Sequence, residues 1–318
     1  MVDQRYKGFY AYNPDQAAAI AFAVLFGILT LSSCVQIVKV ACVSKKRIYA
    51  WKSAELLEEN SALRYFSATK LRWTYFPFIL GIVLEFLGYV LRVVTINRPV
   101  ISTFIAQSVF VLIAPSLYSA SIFMLFSRMV YLMFMERYMV ISIKYSTLTF
   151  LVGDMIGRIL QATGGGLSSS SGSRNTGRIL VIVGLFIQIF FYGVLMFSQI
   201  FFHYKMKTAP SKILRNTNGW YQFNYILLSG NILIIARSVV RVIEFIMGLQ
   251  SYISQHEWCL YVFDTAPMFL LPSVFLICFH SRSVFKMQEK SVGAQLPRIL
   301  DTNIPLSENQ AAINLSYE

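Results

Sequence analysis

Long apolar runs alternate with charged segments along the chain. Seven of these runs are about 20 residues or longer, which is enough for an α-helix to cross the ~30 Å hydrocarbon layer of a membrane. The pattern therefore predicts an all-α polytopic membrane protein whose seven transmembrane helices form one bundle. The predicted spans are Gln16–Val43, Trp73–Val94, Ser102–Leu132, Ser146–Leu167, Ile179–Phe202, Tyr221–Met247 and Trp258–His280.

The fourth predicted span is the least apolar of the seven. It carries Asp154, Arg158 and Gln161 together with several threonines and glycines, so a chain with six spans is the alternative. The distribution of basic residues favours seven. With seven spans, most loop lysines and arginines collect on the side of the 44–72 loop and the C-terminal tail, and six spans would remove that asymmetry.

The same asymmetry predicts the orientation, because basic loops stay in the cytosol. We expect an extracellular N-terminal tail at 1–15, a seven-helix transmembrane domain at 16–281 and a disordered cytosolic tail at 282–318. The composition agrees with a membrane protein: 56% of residues are hydrophobic and 14% are charged, whereas soluble domains average roughly a quarter charged. The net charge of +13 is explained by the cytosolic loops, and nothing in its pattern predicts nucleic-acid binding.

Several ionisable side chains lie inside the predicted spans. Each costs on the order of 3 kcal/mol at the centre of a membrane helix, so each must face protein or water. Paired ions that fix helix register are one interpretation. A polar cavity for a ligand in the middle and outer half of the bundle is the other, and four charged helices favour it. The residues are Glu85 and Arg92 in the second span, Asp154 and Arg158 in the fourth, Arg237, Arg241 and Glu244 in the sixth, and Asp264 in the seventh.

Spacing places these residues on shared helix faces. Asp154, Arg158 and Gln161 are separated by four and three residues and share one face of the fourth helix. On the same helix, the Gly153-x-x-x-Gly157 pattern permits a close approach to a neighbouring helix.

Catalytic and metal-binding patterns are not found in the sequence. The chain has three histidines, which fall at opposite ends of the predicted bundle, and it contains no GxSxG, HExxH or Walker sequence. We therefore expect a protein that is not an enzyme, with no cofactor and no metal.

Four groups of residues together carry a resemblance to a known family. They are Glu85-x-x-Gly88-Tyr89-x-x-Arg92, Ala114-Pro115 with Arg128, Asp154 with Gln161 and Gly164–Gly166, and Arg237-x-x-x-Arg241-x-x-Glu244 with Glu257, Tyr261, Asp264 and Pro267. The combination resembles the fungal lipid-translocating exporter family, also called the resistance-to-aminocholesterol family. Arg158 and Phe123 depart from the family's pattern.

The resemblance implies a seven-helix fungal protein of the plasma membrane, with the endoplasmic reticulum or vacuole membrane as alternatives. It implies a link to tolerance of toxic lipophiles or to movement of sphingoid bases, sterol-like compounds or porphyrins. The resemblance also implies a set of substrate-binding residues, and we add Arg158 to it from the polar face of the fourth helix. With Arg158, the set is Glu85, Tyr89, Arg92, Asp154, Arg158, Gln161, Arg237, Arg241, Glu244, Glu257 and Asp264.

The leading hypothesis from the sequence is a flippase- or exporter-like translocator of amphipathic lipids, working downhill or coupled to an ion. The alternatives are a seven-helix lipid-sensing receptor and a regulatory subunit of another lipid flippase. The expected partners are an amphipathic lipid or lipophilic small molecule and membrane lipids, with a regulatory protein or a second copy of the chain as further candidates.

Overall fold

A computed structural model describes residues 14–52, 68–132, 143–168, 173–208, 220–248 and 252–282. Within these ranges all regular secondary structure is helical and there is no strand. The predicted disordered tail after 282, most of the N-terminal tail and much of the 44–72 loop lie outside the described residues.

Six long helices precede a seventh that is built from three consecutive pieces. We refer to α8, π1 and α9 together as the last helix, since they follow one another without a break. The elements are α1 (Gln16–Lys52), α2 (Ala68–Asn97), α3 (Ile101–Leu132), α4 (Ile143–Ser168), α5 (Arg174–Thr208), α6 (Trp220–Met247), the single turn α7 (Tyr252–Gln255), α8 (Glu257–Leu260), the π-helical π1 (Tyr261–Thr265) and α9 (Ala266–Arg282).

Each of the seven predicted spans lies within one of these long helices. Among the described residues, six helices are long and apolar enough to cross a membrane: α1, α2, α3, α5, α6 and the last helix. This confirms a polytopic membrane bundle. α4 is 26 residues long but is not one of the six, so its crossing of the membrane and the outward N-terminus stay predictions.

The long helices pack in sequence order around the bundle. α1 packs on α2, α2 on α3, α3 on α4, α4 on α5, α5 on α6 and α6 on α9, and α9 returns to α1. Contacts between α3 and α6 cross this ring. In their most apolar segments, 56% of α3 is buried but only 22% of α1, so α3 lies near the centre and α1 at the periphery.

The bundle interior is rich in aromatic side chains, whereas many isoleucine and valine side chains point outward. Phe26 of α1, for example, stacks on Tyr89 of α2 with ring centroids 5.3 Å apart. Outward-facing apolar residues such as Ile101 and Ile277 are mostly exposed. An apolar exterior of this kind is what contact with lipid requires.

Glycines bring α4 and α5 into backbone contact. A Cβ atom on Gly157 would lie 2.9 Å from the Gly184 carbonyl oxygen, and one on Gly164 would lie 2.5 Å from that of Gly177. Both distances are shorter than a side-chain carbon tolerates. The close approach expected from the glycine spacing of the fourth helix is therefore confirmed.

The last helix changes its hydrogen-bonding pattern just before Pro267. Proline has no N–H and cannot bond to the carbonyl of Phe263, four residues earlier. In π1, immediately before it, the Ala266 N–H bonds to the Tyr261 carbonyl five residues back. Such π segments are common at functional sites, and this one contains Asp264.

Candidate functional site

The centre of the site is a pairing between Arg237 of α6 and Asp264 of π1. Arg237 donates from Nε to Asp264 Oδ1 at 2.5 Å and from Nη2 to Oδ2 at 3.3 Å. Its Nη2 also donates to the Val111 carbonyl of α3 at 3.3 Å. Both charged side chains are buried, and this two-bond geometry is the strong form of an arginine–carboxylate pair.

A second arginine binds the same carboxylate. Arg241, one turn after Arg237, donates from Nη2 to Asp264 Oδ2 at 2.7 Å and from Nε to Oδ1 at 3.2 Å. It also pairs with Glu244 on its own helix, at 3.3 Å. The side chains of Arg241 and Glu244 are 29% and 28% exposed, so the pairing extends from the buried centre to the surface of the bundle.

Glu85 of α2 lies on the buried side of this arrangement. Its carboxylate approaches Arg237 only to 3.9 Å, and its side chain is 1% exposed. Arg92, seven residues after Glu85 and therefore nearly aligned with it on α2, also faces the last helix. Arg92 pairs with Glu257 of α8 at 2.8 Å.

Two tyrosines lie beside these pairs, at the contact between α2 and the last helix. The Tyr261 hydroxyl donates to Glu257 Oε1 at 3.1 Å, and the Arg92 guanidinium lies 5.5 Å from the Tyr261 ring centroid. The Tyr89 hydroxyl shares a 2.5 Å hydrogen bond with that of Thr265.

The structure thus brings together eight of the eleven predicted site residues at the junction of α2, α6 and the last helix. We name the seven charged residues of this group the ion-pair layer; Tyr89 lies beside it. The layer consists of Glu85, Arg92, Arg237, Arg241, Glu244, Glu257 and Asp264.

A small open cleft lies where the ion-pair layer reaches the surface between α6 and the last helix. Its polar lining comes from Arg241, Glu244 and Asp264, and Phe263 is among its apolar lining residues. The adjacent Val262 is exposed like other lipid-facing residues. The cleft therefore places charged groups next to an apolar exterior.

The other three predicted residues lie at the α4–α5 interface. Asp154 accepts a hydrogen bond from the Tyr192 hydroxyl at 2.5 Å, and Gln161 donates to Gln188 Oε1 at 2.7 Å. The residues expected to line one polar cavity therefore divide between two places in the bundle. Sequence spacing shows which residues share a helix face but not which neighbouring helix that face meets.

Arg158 lies one turn after Asp154 on α4 and is partly buried. Its Nε atom is buried and has no hydrogen-bond partner among the described residues. The part of Asp154, Arg158 and Gln161 in substrate binding stays a prediction.

Sequence reasoning missed the residues that complete both clusters. Gln188 and Tyr192 are one turn apart in α5, and an amide inside so apolar a run was a signal that could have found them. Thr265 carried no such signal, because its partner depends on how α2 meets π1. Across the described ranges, no group of three or more His, Cys, Asp or Glu residues could hold a metal ion.

The amino-acid sequence relates this chain to known proteins. The model of the family described as "RTA1 like protein" matches residues 78–288, which include every residue of the ion-pair layer. "Uncharacterized membrane protein YLR046C" of Saccharomyces cerevisiae is 65% identical over 81% of this chain and 96% of its own.

Two other yeast relatives have names that mention a ligand. "Protoporphyrin uptake protein 1" of Saccharomyces cerevisiae is 36% identical over 84% of this chain and 90% of its own. "Sphingoid long-chain base transporter RSB1" of the same species is 22% identical over 69% of this chain and 67% of its own. No solved structure gives a significant match.

Proposed function

Because the chain belongs to the fungal RTA1-like protein family, we propose that it translocates amphipathic lipids or lipophilic small molecules across a membrane. Sphingoid bases, sterol-like compounds and porphyrins are the substrate classes, and their removal gives resistance to toxic lipophiles. The observation that carries the proposal is the continuity of the ion-pair layer, which runs from the buried Glu85 to the cleft at Arg241 and Glu244.

The cleft suits a molecule with a charged head and an apolar body. Arg241 and Glu244 form a partly exposed pair of opposite sign, so a carboxylate head can replace Glu244 on Arg241 and an amine head can replace Arg241 on Glu244. In either exchange the head group stays paired with an ion of opposite sign, and the displaced side chain, being partly exposed, turns toward water. The apolar body then lies along Phe263 and the membrane.

This mode of binding accommodates both ligands in the relatives' names, since protoporphyrin carries carboxylates and a sphingoid base carries an amine. We assign head-group binding to the ion-pair layer and Tyr89. Asp154, Arg158 and Gln161 belong to the predicted set from the sequence and require their own test.

The proposed topology has all seven long helices crossing the plasma membrane, with the N-terminus outside and the C-terminus in the cytosol. In this proposal the protein binds its ligand and moves it across the membrane without making or breaking covalent bonds. Support comes from the basic cytosolic loops of the sequence and from the place of α4 within the helical ring.

Purified protein in liposomes tests the proposal, with a fluorescent long-chain base as the probe. Wild type should move the probe between leaflets, and Arg241→Gln should slow that movement. Arg174→Ala is the matched control, since Arg174 is exposed at the start of α5 and outside the ion-pair layer. Saturable binding of the probe without movement would favour the lipid-sensing alternative over transport.

A further inference from the structure

Three buried polar atoms at the centre of the bundle have no hydrogen-bond partner among the described residues. They are Oε1 of Glu85 on α2, the hydroxyl oxygen of Tyr118 on α3 and Nη1 of Arg237 on α6. Buried polar atoms are nearly always hydrogen-bonded, so three such atoms in one neighbourhood require an explanation.

Glu85 and Tyr118 are neighbours because α2 and α3 pack closely beside them. A Cβ atom on Gly81, one turn before Glu85, would lie 2.7 Å from Cε1 of the Tyr118 ring. The Tyr118 hydroxyl interacts electrostatically with Glu85 and with Arg237. Tyr118 is fully buried and Glu85 nearly so, and both side chains are therefore shielded from solvent.

Arg237 is already engaged elsewhere. Its Nε and Nη2 atoms bind Asp264 and the Val111 carbonyl, and only Nη1 faces Glu85, at 3.9 Å. Asp264 in turn binds Arg241. Glu85 is thus paired with an arginine only at 3.9 Å, and its Oε1 accepts no hydrogen bond among the described residues. These interactions are too weak to stabilise a permanent charge on a buried carboxylate.

We propose that Glu85 binds and releases a proton, and that this proton is the ion coupled to lipid movement. The proposal rests on the transport function proposed above and deepens it. A proton fits the site because it needs no cavity and neutralises the carboxylate. The charged and titratable groups that face Glu85 are Tyr89 from α2, Tyr118 from α3, Arg237 and Arg241 from α6 and Asp264 from π1.

The proton changes how the arginines are shared. When a proton from water binds a Glu85 oxygen, the carboxyl group is neutral and Arg237 stays on Asp264, as in the structure. When the O–H bond breaks and the proton returns to water, the carboxylate attracts Nη1 of Arg237. Asp264 then depends more on Arg241, which loosens Arg241 from Glu244 in the cleft.

This chain of pairs links a buried proton site to the lipid-facing cleft. Each step is an ion pair present in the structure: Glu85 with Arg237, Arg237 with Asp264, Asp264 with Arg241, and Arg241 with Glu244. A head group that separates Arg241 from Glu244 changes the same series of ion pairs, starting from the cleft. Proton binding and head-group binding therefore influence each other reciprocally.

Infrared spectroscopy of the purified full chain tests the proton site without any substrate. We expect a protonated-carboxyl band in wild type that titrates with pH, disappears in Glu85→Gln and shifts in Tyr118→Phe. Glu244→Gln, which removes a partly exposed carboxylate, should keep the band. Glu85→Asp keeps a carboxyl group and should show a displaced band if Glu85→Gln fails to fold. A wild-type spectrum without such a band at any pH would overturn the proposal.

Liposomes that contain a pH-sensitive dye test the coupling. Movement of the fluorescent long-chain base by wild type should change the luminal pH, and an imposed pH gradient should change the rate of movement. Glu85→Gln should lose both effects. If wild type moves the probe with no pH effect, coupling is wrong and transport stands. If wild type moves no probe, the transport function fails, and the infrared band alone decides the proton site.

Discussion

The ion-pair layer and the α4–α5 interface both arise from polar residues in apolar helices, but they differ in packing and charge. In the layer, Asp264 holds two arginines and the network opens into a cleft. At the α4–α5 interface, glycines bring two backbones into contact, and Gln161 and Gln188 bond to each other. The first arrangement reaches the surface of the bundle, whereas in the second the two helix backbones touch.

A polar residue within an apolar helix can therefore have two different surroundings in the folded bundle. An arginine such as Arg241 keeps part of its side chain accessible and shares its charge among several groups. Gln188 is fully buried, and its side-chain oxygen accepts a hydrogen bond from Gln161. We expect substitutions at the partly exposed end of the layer to alter transport, and substitutions at its buried centre or at the α4–α5 interface to alter stability.

Asp264→Ala should have the largest effect, because it leaves two arginines without their shared carboxylate. Loss of one member of a buried ion pair costs about 3–5 kcal/mol in the free energy of unfolding. Denaturation in detergent micelles, with Arg174→Ala as the surface control, measures this loss. An Asp264→Ala variant as stable as the control would show that the layer does not hold α6 to the last helix.

Gly157→Ala should have the next largest effect. The added Cβ would lie 2.6 Å from Cγ of Gln188 and 2.9 Å from the Gly184 carbonyl oxygen, and overpacking typically costs about 1–3 kcal/mol. Gly166→Ala is the matched control, because nothing lies within 4 Å of its Cβ position on the same helix. Probe movement per folded molecule should stay at the wild-type value. Loss of movement with unchanged stability would contradict this role for the interface.

The Gln161–Gln188 pair gives a smaller effect that a double-mutant cycle resolves. Gln188→Leu leaves the buried Gln161 amide without its acceptor, which costs about 1–3 kcal/mol. Adding Gln161→Leu should recover most of that loss, since removing both partners of a buried hydrogen bond is nearly neutral. Additive losses in the double variant would show that each amide has a separate role.

Arg241→Gln should have the smallest effect on stability and a clear effect on transport. Partly exposed ion pairs contribute about 0–1 kcal/mol, and Asp264 keeps its pairing with Arg237. Loss of head-group binding worth about 1.4 kcal/mol would slow probe movement about tenfold. Movement in liposomes and unfolding in micelles, measured on the same preparation, separate the two effects.

Much of the fold could be predicted from the sequence, because runs of about 20 apolar residues have few other structures available to them. Periodicity also grouped Arg237, Arg241 and Glu244 correctly on one face of α6. π1 could not be predicted in the same way: Pro267 removes one backbone N–H from the last helix, but the i, i+5 bonding before it depends on the surrounding packing.

The division into two clusters could not be predicted, because it depends on which helices become neighbours. Asp154 and Asp264 look alike in the sequence, yet one meets Tyr192 of α5 and the other meets two arginines of α6. Tyr118 was missed for the same reason, since its place beside Glu85 follows from the contact at Gly81.

Photo-crosslinking with a photoactivatable long-chain base tests the central claim most directly, since it locates the bound lipid on the purified wild-type protein. If the cleft of the ion-pair layer is the substrate site, mass spectrometry should find the label on Val240, Leu260 or Phe263, and excess unlabelled long-chain base should prevent labelling. Label that concentrates instead on Met155 or Ile156, on the exposed face of α4, and that is prevented by the same competitor, would contradict the account.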